Sequence, residues 1–569
     1  MHKHTSRLIL DMGHDNPGEG RTQSVFTNPR HLADWGYNGQ ILTGYVQAVT
    51  TFDTFDADIF PIGSQERQWV EERAGEMEQR IQTAKQAGIS AFCHADLLVF
   101  PKSLVEKYQH ELCNHEGKID IHRPFTQYML RVLIDGIFRR FPELDGLVVR
   151  YGETYLHDLP HHTGNNPILN GAASHIELLT VLRDMICVAH EKFLIYRTWD
   201  FNGLHENLDK YLEISDAIEP HRNLLFSMKH VAGDFWRTIP FNPCIGQGKH
   251  RQLIEVQCQR EYEGKGAHPN YIAKGVIEGW EEYEQLMPPA TNQCLRDVVD
   301  HPNFAGIWTW SRGGGWEGPY IQHELWCELN AYVLVQWAQQ PERSEAEVFD
   351  EVCERIGIQH ESQAAFRRLC LLSADGVLRG QVSYEGGVDL FSDQVKNSQA
   401  ASYYSIETGI EILWTRDHYI GGVDQLQRTL ATILQEGRMA KVLADRETAA
   451  QIWQEIERLS TTILCTDPDI REYIVVSATY GRIKYQIFEK SWKIMLLAKT
   501  GEQSGSMPSE KLQPLIAEYD QLWQEWQELA AQHPLCATLY HAHYCQYIPD
   551  KGMIAAPGIG ETISRYRKP

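Results

Sequence analysis

The chain has 569 residues, of which 43% are hydrophobic and 10% aromatic, enough apolar material for a large core plus a second domain and too much for a disordered chain. Its formal net charge of -23 argues against a general binder of nucleic acid or anionic membrane, since both need clustered Lys and Arg against phosphate. No apolar run reaches the roughly 18 residues of a membrane span.

In chain order, short β-rich runs alternate with helical periodicity through the first 320 or so residues. The expected strands are Leu8–Asp11, Gly39–Leu42, Ser90–Cys93, Gly146–Val149, Phe193–Arg197, Leu224–Met228, Leu253–Val256 and Ala305–Trp308. Amphipathic helices fit between them, around Val70–Ala87, Thr126–Phe141, His175–Ala189 and Ile272–Leu286. Eight such alternations favour a closed (β/α)8 TIM barrel over a doubly wound sheet, and the first strand runs into Asp11-Met-Gly-His-Asp15, which is no GxGxxG turn. From about Pro341 the pattern becomes long helices: Ser344–Ile356, Gln425–Leu443, Thr448–Cys465, Val475–Leu497 and Ser509–Ala531. Ser344-Glu-Ala-Glu347 has the spacing of a capping box. The organisation expected is a barrel over residues 1–335 and an all-α C-terminal domain over 340–569, whose helices offer a surface for a homodimer.

The first residues, Met1-His-Lys-His-Thr-Ser-Arg7, hold no apolar run long enough for a secretion signal, and the 12 cysteines form no CxxC pair. Both observations predict a cytoplasmic protein with buried free thiols, and the net charge predicts neither a nucleic-acid nor a membrane partner.

Barrel enzymes assemble their sites at the carboxyl ends of the strands. That edge holds Asp11, His14, Asp15, His94, Asp96, Glu153, Arg197, Asp200, Lys229, Asp234, Glu261, Glu263, Trp310 and Arg312. Three acids, Glu153, Asp234 and Glu261, follow strand ends in the same structural position. Tryptophan and tyrosine beside carboxylates suit a sugar, whose apolar faces stack while its hydroxyl edges hydrogen-bond. Glycoside hydrolysis then needs one protonated acid and a second carboxylate. A lone acid after a strand is more often a helix cap or a solvated loop residue, so the argument rests on the three together. Glu255 lies within the seventh strand and reads as an interior residue paired with a cation. Arg197 and Lys229 are either structural ion-pair partners or a clamp for a substrate carboxylate, and the residues alone leave both open. His157, His161 and His162 with Asp158 match no compact metal template, and Gly313-Gly-Gly315 lacks the Lys and Ser/Thr of a phosphate loop.

Several segments resemble the family 67 glycoside hydrolases, the α-glucuronidases. They are Phe193-Leu-Ile-Tyr-Arg197, Met228-Lys-His-Val-Ala-Gly-Asp234-Phe, Ile254-Glu-Val-Gln-Cys-Gln-Arg-Glu261-Tyr-Glu-Gly264 and Phe304-Ala-Gly-Ile-Trp-Thr-Trp310, in the family's order. The resemblance implies Glu153 as general acid, Asp234 and Glu261 as candidate bases, and Arg197 and Lys229 as contacts for a uronate carboxylate. Asp11, Trp310 and Arg312 complete the expected substrate-binding set. It also implies an inverting exo-glycosidase that releases glucuronic or 4-O-methylglucuronic acid from an oligosaccharide and needs neither metal nor organic cofactor. In this setting the pKa of Glu153 is expected to be raised by burial and by neighbouring acids. Two departures stand out. The barrel begins within about ten residues of Met1, where the family carries a preceding domain, and the acid segment reads Glu153-Thr-Tyr-Leu-His-Asp158, where the family has Glu-Gly-x-Pro-Gly-Pro. The alternatives are a barrel hydrolase for another sugar and a non-catalytic carbohydrate-binding protein.

Overall fold

The computed structural model of the chain describes residues 7–13, 24–154, 156, 159–200, 203–233, 235, 237, 239–258, 268, 270–283, 287–288, 290–312, 323–382, 422–533, 546–548, 552–554 and 559–567. Eight parallel strands close into a barrel: β1 (Leu8–Gly13), β2 (Gly39–Leu42), β3 (Ser90–Asp96), β4 (Gly146–Arg150), β5 (Phe193–Arg197), β6 (Leu224–Lys229), β7 (Arg251–Gln257) and β8 (Phe304–Arg312). Each pairs with its neighbours in sequence, and β8 returns to β1. The eight expected strands are therefore the eight barrel strands, several of them running a few residues further at the carboxyl end.

Alternation along each strand sorts the side chains into two sets. Leu10, Ile41, Phe92, Val148, Ile195, Leu225, Leu253 and Trp308, one from each strand, form a single buried cluster that fills the barrel. Residues of opposite parity, such as Ile9, Leu147, Leu194, Phe226, Ile254 and Ile307, join the larger core between barrel and helices. At the closing seam Gly306 pairs with Leu8 at φ +137, and a Cβ there would stand 1.9 Å from the Leu8 carbonyl oxygen. The glycine of the Phe-Ala-Gly segment is thus required by strand closure.

Beyond β8, helix Leu325–Gln339 packs on β8 and β1 and belongs to the barrel's outer ring; it runs through residue 335, where the barrel was expected to end. Among the described residues the helices that follow are Glu345–Arg355, His360–Val377, Gly422–Gln435, Met439–Ser460, Pro468–Ser504, Ser509–Gln532 and the short Ile559–Ser564. Ser344 and Glu347 form both halves of the capping box. Two expected helices are corrected. The run Gln425–Leu443 is two helices, broken at Gly437, whose φ of 68 is open to glycine at little cost. The run Ile272–Leu286 is broken as well: a helix spans Ala273–Glu278 and ends at Gly279 with φ 90. Among the described residues no helix is long and apolar enough to cross a membrane.

Gly306→Ala places a methyl group inside the Leu8 carbonyl contact at a backbone angle that L residues rarely adopt. A loss of about 3 kcal/mol of unfolding free energy is expected. Urea denaturation checks this, and an unchanged midpoint would show that the seam can relax.

Candidate active site

At the carboxyl end of the barrel interior the apolar filling gives way to charge. Arg197 on β5 reaches across β6 to Glu255 on β7 in a bidentate pair, Nε to Oε1 at 3.0 Å and Nη2 to Oε2 at 2.8 Å. The intervening strand carries Ser227, small enough to leave the path open, and its hydroxyl donates to the same carboxylate at 2.9 Å. Trp310 Nε1 donates the fourth bond at 3.1 Å. Burial by itself pushes the Glu255 carboxyl up, yet the Arg197 charge and hydrogen bonds, with Lys229 nearby, hold it below the usual carboxylate range. Glu255 is thus the cation-paired interior residue that its position within the strand implied. Arg197 also lies 5.3 and 5.0 Å from the ring centroids of Trp308 and Trp310, so its guanidinium is committed to the barrel interior.

Lys229, at the end of β6 and only 3% exposed, sits in an aromatic box. Its ammonium stands 3.8 Å from the Trp199 ring centroid, 4.7 Å from Phe235 and 5.8 Å from Trp310. A cation over ring faces is attracted by their quadrupoles, and the three rings are themselves buried.

A second buried pair closes the neighbouring side. Arg150 on β4 forks onto Asp96 on β3, with both contacts at 2.7 Å, and its remaining Nη1 stands 3.6 Å from Glu153 Oε2. The Glu153 side chain is 29% exposed, against 1% for Asp96 and 0% for Glu255, so of these three acids it alone is open to a ligand. Among the described residues the charged group beside it is the Arg150 guanidinium; the acids expected as its neighbours, Asp234 and Glu261, lie outside the described residues. The loop that carries it is pressed against the loop after β5: a Cβ on Gly152 would lie 2.9 Å from the Trp199 carbonyl oxygen.

The structure therefore gathers Glu153, Arg197, Lys229 and Trp310 at one end of the barrel. Asp11 is not among them. It shares the parity of Ile9, faces the outer helices, and accepts hydrogen bonds from Thr309 Oγ1 (2.7 Å) and Ser311 Oγ (2.8 Å), with the Tyr37 hydroxyl on Thr309 at 2.7 Å. Burial pushes its carboxyl up to about 7 despite those bonds. Arg312 ends β8, and its backbone pairs with Gly13. Asp234 and Glu261 lie outside the described residues, as do His14, Asp15, His157, Asp158, Glu263 and Gly313–Gly315.

The segments that contain Asp234 and Glu261 are flanked by residues docked on the C-terminal helices. Arg237 forks onto Glu282 (2.6 and 2.9 Å), lies 4.0 Å over Trp280, and donates to the Ala374 carbonyl in helix His360–Val377 (3.1 Å). His268 is buried among Trp453, Tyr480 and Tyr485, with centroids at 4.6, 5.4 and 5.4 Å. Among the described residues no three His, Cys, Asp or Glu side chains group as metal ligands.

Sequence reasoning passed over Trp199 and Phe235 as walls of the Lys229 box, and over Glu206. Burial and the neighbouring Asp200 push the Glu206 carboxyl up to about 7. Trp199 could have been found, since it stands two residues beyond Arg197; Phe235 and Glu206 lie in loops with no periodic signal.

No family model matches the chain, and no curated protein matches its sequence. Among solved structures the chain is similar to a GH138 enzyme targeting pectin rhamnogalacturonan II, with a TM-score of 0.55 and 12% identity over 98% of this chain and 82% of that one. An O-GlcNAc hydrolase mutant of Thermobaculum terrenum aligns with a TM-score of 0.41 and 9% identity over 99% of this chain and 93% of that one. The first likeness speaks for the fold, the second is too slight to argue from, and the family 67 resemblance rests on the quoted segments alone.

Two outcomes follow. Glu255→Gln leaves the Arg197 charge buried without its counter-ion and is expected to cost about 3–5 kcal/mol of stability; a loss under about 1 kcal/mol in urea denaturation would mean that water or another acid compensates. Asp11 has a folded-state pKa near 7, above its ordinary 3.8, so its contribution is full below about pH 4 and is lost as pH rises through 7. Asp11→Asn, which mimics the protonated carboxyl, should remove that loss, on the order of 4 kcal/mol, and flatten stability between pH 4 and 8. Parallel stability curves for variant and wild type would show that Asp11 does not titrate there.

Proposed function

We propose that the chain is a barrel glycoside hydrolase and, within that class, an inverting exo-acting enzyme that removes an α-linked glucuronic or 4-O-methylglucuronic acid from an oligosaccharide. The observation that carries the reading is the Lys229 ammonium enclosed by Trp199, Phe235 and Trp310 at the strand ends where Glu153 is open. A uronic acid supplies what such a site would recognise: apolar ring faces for the indoles and a carboxylate for the cation. The barrel shared with the GH138 enzyme, which targets a pectin polysaccharide, supports carbohydrate as the substrate class.

In this mechanism the sugar stacks on Trp310 or Trp199 and its carboxylate pairs with Lys229, fixing orientation before bond cleavage. Glu153 gives a proton to the glycosidic oxygen. Asp234, Glu261 or both, assigned through the family resemblance, hold the attacking water on the opposite face, which for inversion requires about 6.5–9.5 Å between acid and base carboxyls. Arg197 acts here through Glu255, which holds the Trp310 indole by its N–H, and has no direct part in a uronate clamp. That commitment favours a second reading, a barrel hydrolase for a different sugar, because a clamp with two cations is weakened.

Proton NMR of products from α-1,2-linked glucuronosyl xylooligosaccharides and from neutral aryl glycosides separates these readings. Release of β-glucuronic acid by wild type, abolished in Glu153→Gln and reduced at least 100-fold in kcat/KM by Lys229→Met, is expected. Turnover of neutral glycosides alone would discard the uronate, and binding without turnover, indifferent to Glu153→Gln, would point to a carbohydrate-binding protein.

A further inference from the structure

Behind the roots of Glu153 and Trp199 lies a buried polar circuit that the proposed reaction does not use. The Tyr151 and Tyr196 rings stack at 4.8 Å with an interplanar angle of 22°. The Tyr196 hydroxyl meets His175 Nδ1 at 2.8 Å, and His175 Nε2 faces Asp200 Oδ2 at 3.7 Å. The facing carboxylate favours the tautomer with the proton on Nε2, in which Nδ1 accepts from Tyr196. Asp200 Oδ1 accepts the backbone N–H of Leu204 at 2.9 Å, which fixes the turn after β5. The circuit returns to Tyr151 through Gly152, where an added Cβ would stand 2.9 Å from the Trp199 carbonyl oxygen and 3.2 Å from Asp200 Cα.

Tyr151, His175 and Asp200 are buried, and Tyr151 Oη, His175 Nε2 and Asp200 Oδ2 make no hydrogen bond among the described residues. Apolar side chains would fill this space between β4, β5 and helix Gly171–Leu182 without that desolvation cost, so the group calls for a reason beyond packing. Its position supplies one. Glu153 follows Gly152 directly, and Trp199, the ring nearest the Lys229 ammonium, precedes Asp200 directly.

We propose that Asp200 and His175 are positioning residues, which hold the loop after β4 against the loop after β5 and so set the separation between the Glu153 carboxyl and the Lys229 box. The proposal rests on the reading of Glu153 as the proton donor, and it gives the polar circuit a role in catalysis without contact to substrate. Reactions of this kind are sensitive to such placement, a shift of about 1 Å costing on the order of 100-fold in rate. Gly152 belongs to the same device, because only a residue without a side chain lets the two loops touch.

The test uses the full chain with Asp200→Asn, Tyr196→Phe and Gly152→Ala. Asp200→Asn keeps an acceptor for Leu204 but removes the charge facing His175, Tyr196→Phe removes the hydroxyl on Nδ1, and Gly152→Ala separates the loops without touching the polar atoms. Each is expected to lower kcat at least tenfold on whichever glycoside the wild type turns over, with KM changed less than threefold and the circular dichroism spectrum retained. Crystal structures of the same variants should show the Glu153 carboxyl displaced by at least 0.5 Å relative to Lys229 Nζ, on the order of the placement tolerance of a catalytic group. If Glu153 stays in place in all three variants, or kcat matches wild type in all three, the positioning role is overturned. If wild type turns over none of the glycosides, the proposed function fails, and the displacement in the crystal structures decides the circuit by itself.

Discussion

The pair between Arg197 and Glu255 is the interaction on which the described end of the barrel is built. Two charges taken out of water are tolerable only when every strong donor and acceptor finds a partner. Glu255 meets that condition with two bonds from Arg197, one from Ser227 and one from Trp310. Four contributors on four consecutive strands are thereby locked into one layer. Trp310 is held by its indole N–H, which sets one wall of the Lys229 box.

Arg150 and Asp96 repeat the arrangement on β4 and β3, with Glu153 at the open corner of the guanidinium. The two pairs commit both arginines to the barrel interior. In both pairs the cation has its carboxylate, and Glu153, beside the buried rings around Lys229, is the part-exposed acid. A low-dielectric floor of satisfied charges strengthens whatever electrostatic contact is made over it.

The C-terminal helices take part in the same construction. Arg237 and His268 carry the segments after β6 and β7 onto the helical layer, through the Ala374 carbonyl and the Trp453, Tyr480 and Tyr485 rings. In the barrel's outer ring, Asn330 of helix Leu325–Gln339 likewise accepts the Ile272 and Ala273 N–H groups, at 2.8 and 3.0 Å, and pins the start of helix Ala273–Glu278. Rigid support behind functional loops is what precise placement of side chains requires. The helical region therefore acts as scaffolding for barrel loops as well as packing on them.

The sequence by itself determined the eight strands, the helical tail, the Ser344 capping box and the cation-paired interior role of Glu255. Each of these depends on local periodicity or on position within one strand, which neighbouring residues specify directly. The placement of Glu153, Lys229 and Trp310 at one end of the barrel was legible for the same reason. Alternation with Leu10 could also have marked Asp11 as outward-facing, but only once the strand's inward face was known. The tertiary structure alone decided that Arg197 reaches over Ser227 to Glu255, that Trp199 and Phe235 enclose Lys229, and that Asp200 meets His175. Those contacts join residues on separate strands and loops at distances set by barrel closure and layer packing, and no local pattern in the chain encodes them.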